Sequence, residues 1–533
     1  LTAAQIERIT VFSRERTFSD GDALWEQGDR HRTMLVVLEG EVEVLTGEDQ
    51  LVVAHGAGGF SGDVDMLSGR PAVVKGRARG ETRVLEIAAD RLRALVQTDT
   101  ELSDVFLRAF LFRRFELMQH GWGAVVLVGS RHSAGTLELQ EFLTRNNQPY
   151  QYLDVERETD VQHLLDGFGL GVDDVPVVIC RGERILRKPT IEELGDCLGL
   201  SDVNVEAVRD VVVVGAGPAG LAAAVYAASE GLGVLVVEAN APGGQAGSSS
   251  KIENYLGFPT GISGQSLASR AYAQAEKFGA EFAVARTAVR LACERRPFRV
   301  EIAAGVAVEA RAVIVATGVR YRRLDVADLA RFEGVGVYYV ATQVEANLCR
   351  GEDVIVVGGG NAAGQAAVFL AGVDCRVHIL VRAAGLAQTM SRYLIRRIEE
   401  TPSITLDSRC SITALEGGDH LEGVTWRNDA TGMRTTAPIR HIFSMTGASP
   451  NTAWLQSCVA LDEKGFVKTG QDVLPGDLAE ARWPLARPPL LFETSIPNVF
   501  AVGDVRANSV KRVAAAVGEG SVCVQLVHRA LAS

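Results

Sequence analysis

The stretch 211–220, VVVVGAGPAG, decides the architecture of most of this chain. Four consecutive valines read as a strand buried on both faces, because β-branched side chains suit a pleated strand better than a helix. Gly215, Gly217 and Gly220 follow at GxGxxG spacing, with Pro218 and Ala219 between them; LAAAVYAASEG then reads as a helix and VLVVE as a second strand ending in Glu238. The unit is a βαβ crossover. Its first glycine permits the tight turn, the second lets the backbone approach a pyrophosphate, and the third allows close packing of the helix, whose N-terminal N–H groups face the anion. A carboxylate in the position of Glu238 can accept hydrogen bonds from the ribose hydroxyls of an adenosine half.

The plan repeats at 354–363, VIVVGGGNAA, where Gly358, Gly360 and the small Ala363 are followed by the helix-like QAAVFLAG and the strand CRVHILVR. Asn361 and Ala362 open that helix, so the backbone of a second dinucleotide loop runs from Gly358 to Ala362. At the end of the second strand Val381 and Arg382 replace the acid. An arginine there pairs with a 2′-phosphate that an acid would repel, which favours NADPH over NADH while leaving NADH possible. Further on, VFAVGDV places Gly503 and Asp504 directly after an apolar strand, before the amphipathic run KRVAAAVGEGSVCVQLVHRAL. A strand-end Asp can bond a flavin ribityl chain. The helix start, with the backbone around Lys511, Arg512 and Val513, can direct positive potential at the pyrimidine edge of the flavin.

The remaining features bound the class. A chain of 533 residues exceeds one hydrophobic core, so several domains are expected. Its 54 basic and 66 acidic side chains give a net charge of −12, which argues against nucleic acid and anionic membranes as partners. No stretch has the length of an apolar membrane span, and the charged start does not resemble a signal peptide, so a cytoplasmic protein is expected. Eight cysteines are scattered without any CxxC, which predicts reduced, buried thiols rather than a disulfide framework or a metal site.

With GAGPAG at 215–220 stand APGGQ at 241–245, KIENYLGFP at 251–259, ATG at 316–318, GGGNAA at 358–363, TGASPNT at 446–452 and AVGDV at 501–505. In this order, residues 208–533 resemble the low-molecular-weight thioredoxin reductase branch of the pyridine nucleotide disulfide oxidoreductases. The resemblance implies FAD and NADPH as cofactors and two Rossmann-type three-layer α/β domains. FAD would be bound by 208–325 together with 439–533, and NAD(P)H by the inserted 326–438. It also implies that Gly244, Gln245, Asn254, Thr317 and Gly318 touch FAD, and that the protein is a homodimer.

The departures from the family are as informative. Thioredoxin reductases carry a CxxC shortly before the second glycine motif, whereas here GVGVYYVATQVEANL places Val340 and Gln343 at the two cysteine positions. The single cysteine that related enzymes use in the first glycine loop is Ala219. No catalytic side chain is therefore assigned, and thiolate chemistry within this domain is excluded. Cys349 is the nearest thiol in sequence and reads as structural and without a partner.

Two further segments precede the flavoprotein part. Residues 1–118 alternate apolar and polar positions with Gly and Asp turns, predicting a short-stranded β jelly roll closed by the helix ELSDVFLRAFLFRRFELM. They resemble a cyclic nucleotide-binding domain, with FSGDVDMLSGRPAVV at 60–74 in place of the phosphate cassette. Gly62 and Asp63 keep the Gly-acid pair roughly, but Ala72 stands where that family has its phosphate-binding arginine, with Arg70 and Lys75 close by. Losing a charge-assisted pair costs about 2 kcal/mol, which argues against cyclic nucleotide binding. Residues 121–202 read strand, helix, strand, helix, strands, helix and resemble a thioredoxin or glutaredoxin domain with a cis-proline at Pro176. The segment 130–134 holds no cysteine, and His132 reads as a loop histidine.

The sequence therefore predicts an NAD(P)H-dependent flavoprotein oxidoreductase that passes electrons from FAD to an unidentified external acceptor. A redox- or nucleotide-responsive regulatory flavoprotein and a thioredoxin-disulfide reductase are the alternatives.

Overall fold

The computed structural model describes residues 1–532 except 31, 32, 64, 123, 124, 132, 158–169, 181–183, 203, 456 and 457. His132 and the second helix expected in the middle segment lie outside the described residues.

The N-terminal sheet is antiparallel, with strands β1 (Arg14–Phe18), β2 (Ala23–Trp25), β3 (Met34–Leu45), β4 (Leu51–His55) and β5 (Lys75–Ile87) in the order β1-β5-β3-β4 and β2 on β5. Short strands were expected, yet β3 and β5 run for 12 and 13 residues. Gly40 and Gly80, at φ +78° and +71°, let the two long strands bend together beside register shifts instead of ending. The helix Thr100–Gln119 closes the core, laying Phe106 and Phe110 against Phe60.

The middle segment forms strands β6 (Val125–Gly129), β7 (Gln151–Asp154), β8 (Val177–Cys180) and β9 (Arg184–Arg187) in the order β7-β6-β8-β9, with only the β6–β7 pair parallel. Its helices are Ala134–Arg145 and Ile191–Leu198, and the Val175–Pro176 bond is cis.

The first Rossmann sheet contains β10 (Val208–Val214), β11 (Val234–Glu238), β12 (Glu281–Val284), β13 (Ala288–Ala292), β14 (Phe298–Ile302) and β15 (Val306–Val315), with β26 (Val499–Ala501) added in parallel to β15. Val211, Val212 and Val213 are fully buried in β10, between parallel neighbours β11 and β15. Such burial stabilises by about 1.5–3 kcal/mol per side chain, and it explains the unbroken valine run. A two-strand ladder, β16 (Val319–Tyr321) against β25 (Ala448–Pro450), carries the chain out of this domain and back. Between them lies the second sheet. Its strands β17 (Val337–Tyr338), β24 (His441–Ser444), β18 (Asp353–Val357), β19 (Arg376–Val381) and β20 (Ile404–Ser408) are all parallel in that order. An antiparallel layer of β21 (Cys410–Gly417), β22 (Leu421–Asn428) and β23 (Arg434–Ala437) flanks it.

Two cysteine expectations are corrected. Cys293 and Cys458, distant in sequence, are joined as a disulfide with their Cα atoms 6.0 Å apart. Cys349 does have a partner, since the Cys375 Sγ lies 3.7 Å from its Sγ and donates to its carbonyl at 3.1 Å. Both pairings are long-range contacts made by the sheet order, which sequence spacing does not encode. Cys180, Cys197, Cys410 and Cys523 are buried, as expected. No helix among the described residues is long and apolar enough to cross a membrane, and no group of described side chains could hold a metal ion.

The N-terminal domain rests on the helix Gly264–Lys277 of the first Rossmann domain. There Arg70 donates to the Tyr272 hydroxyl, and Asp65 bonds Arg114 at 2.7 Å nearby. Burial pushes the Glu276 carboxyl up to about 7 from its ordinary 4.5, against the lowering effect of Arg70. A raised carboxyl pKa means the folded state holds the proton more tightly. Its stabilising contribution is complete below pH 4.5 and is lost as pH rises to about 7. In thermal melts across that window the wild type is expected to lose stability relative to Glu276→Gln, the two curves running parallel if Glu276 does not titrate there.

Candidate functional site

The two glycine motifs form cradles of the same construction. A Cβ on Gly215, at φ +104°, would lie 2.4 Å from the Ala316 carbonyl oxygen, and one on Gly220 would lie 1.9 Å from the Gly215 oxygen. These two glycines are required by packing. Gly217 is different: nothing lies within 4 Å of its Cβ position, so the space over the loop is open. It caps the helix Pro218–Ser229 with no side-chain hydrogen bond, and Pro218 at the first turn removes one donor that would otherwise lack a partner. Gly360 is equally open and caps Asn361–Ala371 without a side chain, while Gly358, at φ +140°, would bring a Cβ to 2.4 Å from the Met445 oxygen. Two uncapped helix N-termini beside open glycine loops fit two dinucleotide pyrophosphates.

Around the first cradle, Glu238 accepts from the Ala216 N–H at 2.7 Å through one oxygen and from the Asn240 N–H at 2.9 Å through the other. The carboxylate is thereby aimed, and the remaining lone pairs of its oxygens fit ribose hydroxyls. A Cβ on Gly244 would come within 3.0 Å of the Gly217 Cα, so the APGGQ loop leans on the cradle; its Gln245 Nε2 donates to the Val319 carbonyl. Asn254 is exposed on the 251–259 loop. Thr317 and Asn451 bond reciprocally, the Thr317 hydroxyl donating to the Asn451 carbonyl at 2.8 Å and the Asn451 amide to the Thr317 carbonyl at 2.9 Å. Gly318, at φ +61°, has open space at its Cβ position.

The C-terminal motif reaches the same place. A Cβ on Gly503 would sit 2.8 Å from the Ala219 Cβ, and one on Gly520 would sit 2.2 Å from the Ala219 oxygen, so helix Val513–Leu531 packs tightly on the first glycine loop. Arg512 is its N-cap, with no side-chain bond, and leaves the first N–H groups to other acceptors. Lys511 Nζ donates to the Asp504 carbonyl and to Ser509 Oγ, each at 2.6 Å, and stands over the Phe466 ring. Burial raises the Asp504 carboxyl and lowers the Lys511 ammonium. Sequence reasoning missed Glu519, which accepts from the Gly503 N–H at 2.7 Å and pairs with Arg506 at 2.6 Å, holding the Gly-Asp turn. It also missed Tyr321, whose hydroxyl pKa is raised by burial and by the nearby Asp504. A carboxylate about two turns into the expected helix was a readable signal for Glu519, but nothing in the sequence marked Tyr321.

At the second cradle Asn361 Oδ1 accepts from the Ser391 N–H at 2.7 Å, and Thr389 donates to the Gly359 carbonyl at 2.6 Å. Ala362 is exposed on the first turn of its helix. Arg382 is exposed at the end of β19, as is Arg392 at the start of the helix Arg392–Glu399. Arg396 and Arg397 on that helix are already paired, with Glu400 and with Glu253 of the first Rossmann domain. Arg382 and Arg392 are left as exposed basic side chains of this half of the molecule.

Val340 and Gln343 fall at the entry to the helix Gln343–Leu348. Its N-cap is Thr342, whose capping box with Glu345 closes the first turn. Gln343 is exposed, and its Nε2 donates to Asn347 Oδ1 at 2.9 Å. In the N-terminal cassette Ala72 is buried, Arg70 is turned to Tyr272 and Lys75 pairs with Asp49.

The pyridine nucleotide-disulphide oxidoreductase family model matches residues 209–520, and the cyclic nucleotide-binding domain model matches residues 15–99. Thioredoxin reductase of Bacillus subtilis is 29% identical over 323 residues, which are 61% of this chain and 95% of that protein. NADPH-dependent thioredoxin reductase 3 of Arabidopsis thaliana is 30% identical over 370 residues, 66% of this chain and 66% of that protein. The crystal structure of Lactococcus lactis thioredoxin reductase in its FR conformation superposes with a TM-score of 0.54 at 26% identity, covering 61% of this chain and 99% of that one. FAD and NADPH are the cofactors of these enzymes.

Gly217→Val fills the open space of the first cradle. The variant is expected to purify folded but without the flavin absorption band; a variant retaining a full complement of FAD would show that Gly217 does not face the pyrophosphate. With both cradles, the strand-end Glu238 and the matched family model together, the chain is a member of the pyridine nucleotide-disulphide oxidoreductase family, an NAD(P)H-dependent flavoprotein oxidoreductase with an N-terminal cyclic nucleotide-binding domain.

Proposed function

We propose that this enzyme passes electrons from NADPH through FAD straight to an external acceptor, with no internal redox disulfide. The observation that carries the reading is the replacement of both family cysteines, at Val340 and Gln343, at the entry to a helix that is capped by oxygen. FAD supplies hydride acceptance from the nicotinamide and electron donation onward. The protein's part is positional. Gly217 and the N-terminus of Pro218–Ser229 would hold the FAD pyrophosphate, Glu238 the ribose and Asp504 the ribityl chain, and the start of Val513–Leu531 would supply positive potential to the flavin pyrimidine. Gly360 and Asn361 hold the NADPH pyrophosphate, and Arg382 with Arg392 the 2′-phosphate. Gly244, Gln245, Asn254, Thr317, Gly318 and Lys511 complete the flavin wall.

The sulfur pairs elsewhere do not offer a substitute. Cys349 and Cys375 precede β18 and β19, whereas Gly358 follows β18. A five-residue strand separates them by roughly 16 Å. Cys293 and Cys458 pair beside β13, the edge strand of the first sheet. Cys523 lies midway along Val513–Leu531, roughly 15 Å from its N-terminus, where burial pushes its thiol pKa well up. The domain limits are those of the sequence reading: 1–118, a thioredoxin-like 121–202 without active cysteines, 208–325 with 439–533, and 326–438. The N-terminal cassette is assigned to packing against the first Rossmann domain instead of cyclic nucleotide binding, since its nearby basic side chains are engaged. A cytoplasmic homodimer is the expected form.

Mixed anaerobically with NADPH, the purified protein is expected to bleach its flavin band in one phase, and a panel of one-electron carriers, quinones, oxygen and disulfide proteins then identifies the acceptor. Persistence of the oxidised spectrum would overturn the reading and favour a regulatory flavoprotein.

A further inference from the structure

The carboxyl end of the middle-domain helix Ala134–Arg145 is joined to the flavin wall on one side and to the N-terminal cassette on the other. Arg145, whose side chain is 13% exposed, donates from Nη2 to the Gly244 carbonyl at 2.9 Å, and the next residue, Asn146, donates from Nδ2 to the Asn240 carbonyl at 3.2 Å. Both acceptors belong to the segment that runs from Glu238 to Gln245 and leans on Gly217. The third residue, Asn147, sits at φ +53° and ties three domains together. Its Nδ2 donates to Ser269 at 2.9 Å, its Oδ1 accepts from Gln265 at 2.8 Å, and its carbonyl accepts from Arg114 Nε at 2.6 Å. Arg114 is 5% exposed and its Nη1 holds Asp65 of the cassette at 2.7 Å, with Asp63 4.0 Å away.

A hydrogen bond from a guanidinium in so enclosed a setting fixes its acceptor, and a buried arginine tied to a buried carboxylate moves only if that carboxylate moves. We propose that Arg145 is a positioning residue for the FAD-binding segment 240–245, and that Asn147 and Arg114 make its placement depend on the cassette carboxylate Asp65, so that the front domains tune how FAD is held. This rests on FAD lying over Gly217 and beside Gly244, and it adds a regulatory input to that site. Arg145 acts through the backbone of Gly244 and is assigned no contact with the reacting atoms.

The test uses the full-length holoprotein and two readouts, the visible circular dichroism of bound FAD and the rate of FAD loss on dilution, with melting temperature as the check on folding. Arg145→Gln removes the charge-assisted bond. Asn147→Gly keeps the left-handed backbone and deletes only the side-chain bonds, and Ser269→Ala, which deletes one of them from the other side, replaces it should it fail to fold. Loss of a hydrogen bond to a charged group corresponds to about a tenfold faster loss of FAD for Arg145→Gln. The Asn147→Gly and Asp65→Asn variants are expected to alter the dichroism in the same sense by a smaller amount. Wild-type dichroism and FAD loss in Arg145→Gln and Asn147→Gly would overturn the proposal, and silence of Asp65→Asn alone would sever the N-terminal domain from it. A wild-type protein that carries no FAD would instead overturn the underlying site.

Discussion

Two helix N-termini without side-chain caps, at Gly217 and Gly360, are the constraint around which the rest of the molecule is arranged. A terminus of this kind leaves N–H groups that must find partners, and it is stable only where an anion or water supplies them. The protein keeps both termini open by placing glycines without neighbours at the tips of the two loops, and keeps them rigid by seating Gly215, Gly220 and Gly358 directly on backbone carbonyls. The valine-rich β10 and β18 exist to aim those termini. Their buried side chains fix each strand between parallel partners, so the loops emerge at the same edge of each sheet.

The same arrangement makes the first cradle a composite. Val513–Leu531 presses Gly503 and Gly520 onto Ala219, which brings the last motif of the chain onto the first, and the ladder of β16 with β25 returns the chain to complete it. The middle domain shares a buried apolar cluster with this body, Leu139, Phe142, Leu143 and Leu194 joining Tyr272 and Ala285, and polar side chains fix the seating of the front domains: Arg70 on Tyr272, Asn147 on Ser269 and Gln265, and Arg145 on Gly244. Bonds of this type orient their partners more than they add net stability.

Much of this was legible in the sequence because local physics dictated it. The glycine spacing, the valine run, Glu238 and the Gly503-Asp504 turn each have a local cause, and each lies where the reading put it. Helix Thr100–Gln119 was readable for the same reason, whereas the cis bond at Pro176 was implied by the thioredoxin-like resemblance alone. What escaped depends on long-range order. The Cys293–Cys458 and Cys349–Cys375 pairings arise from strand order. The length of β3 and β5 depends on two glycines bending together across the sheet. Tyr321 gains a role only once β16 is placed near Asp504.

The proposed electron path, with Val340 and Gln343 at the positions where the family resemblance places cysteines, runs from FAD straight to the acceptor. Reductive titration under anaerobic conditions counts the electrons the chain can store. Full flavin bleaching is expected to coincide with uptake of a single hydride equivalent per bound FAD, with no thiol becoming newly reactive to alkylation. Uptake of a second equivalent, accompanied by a new pair of alkylated cysteines or a thiolate-to-flavin charge-transfer band, would contradict it.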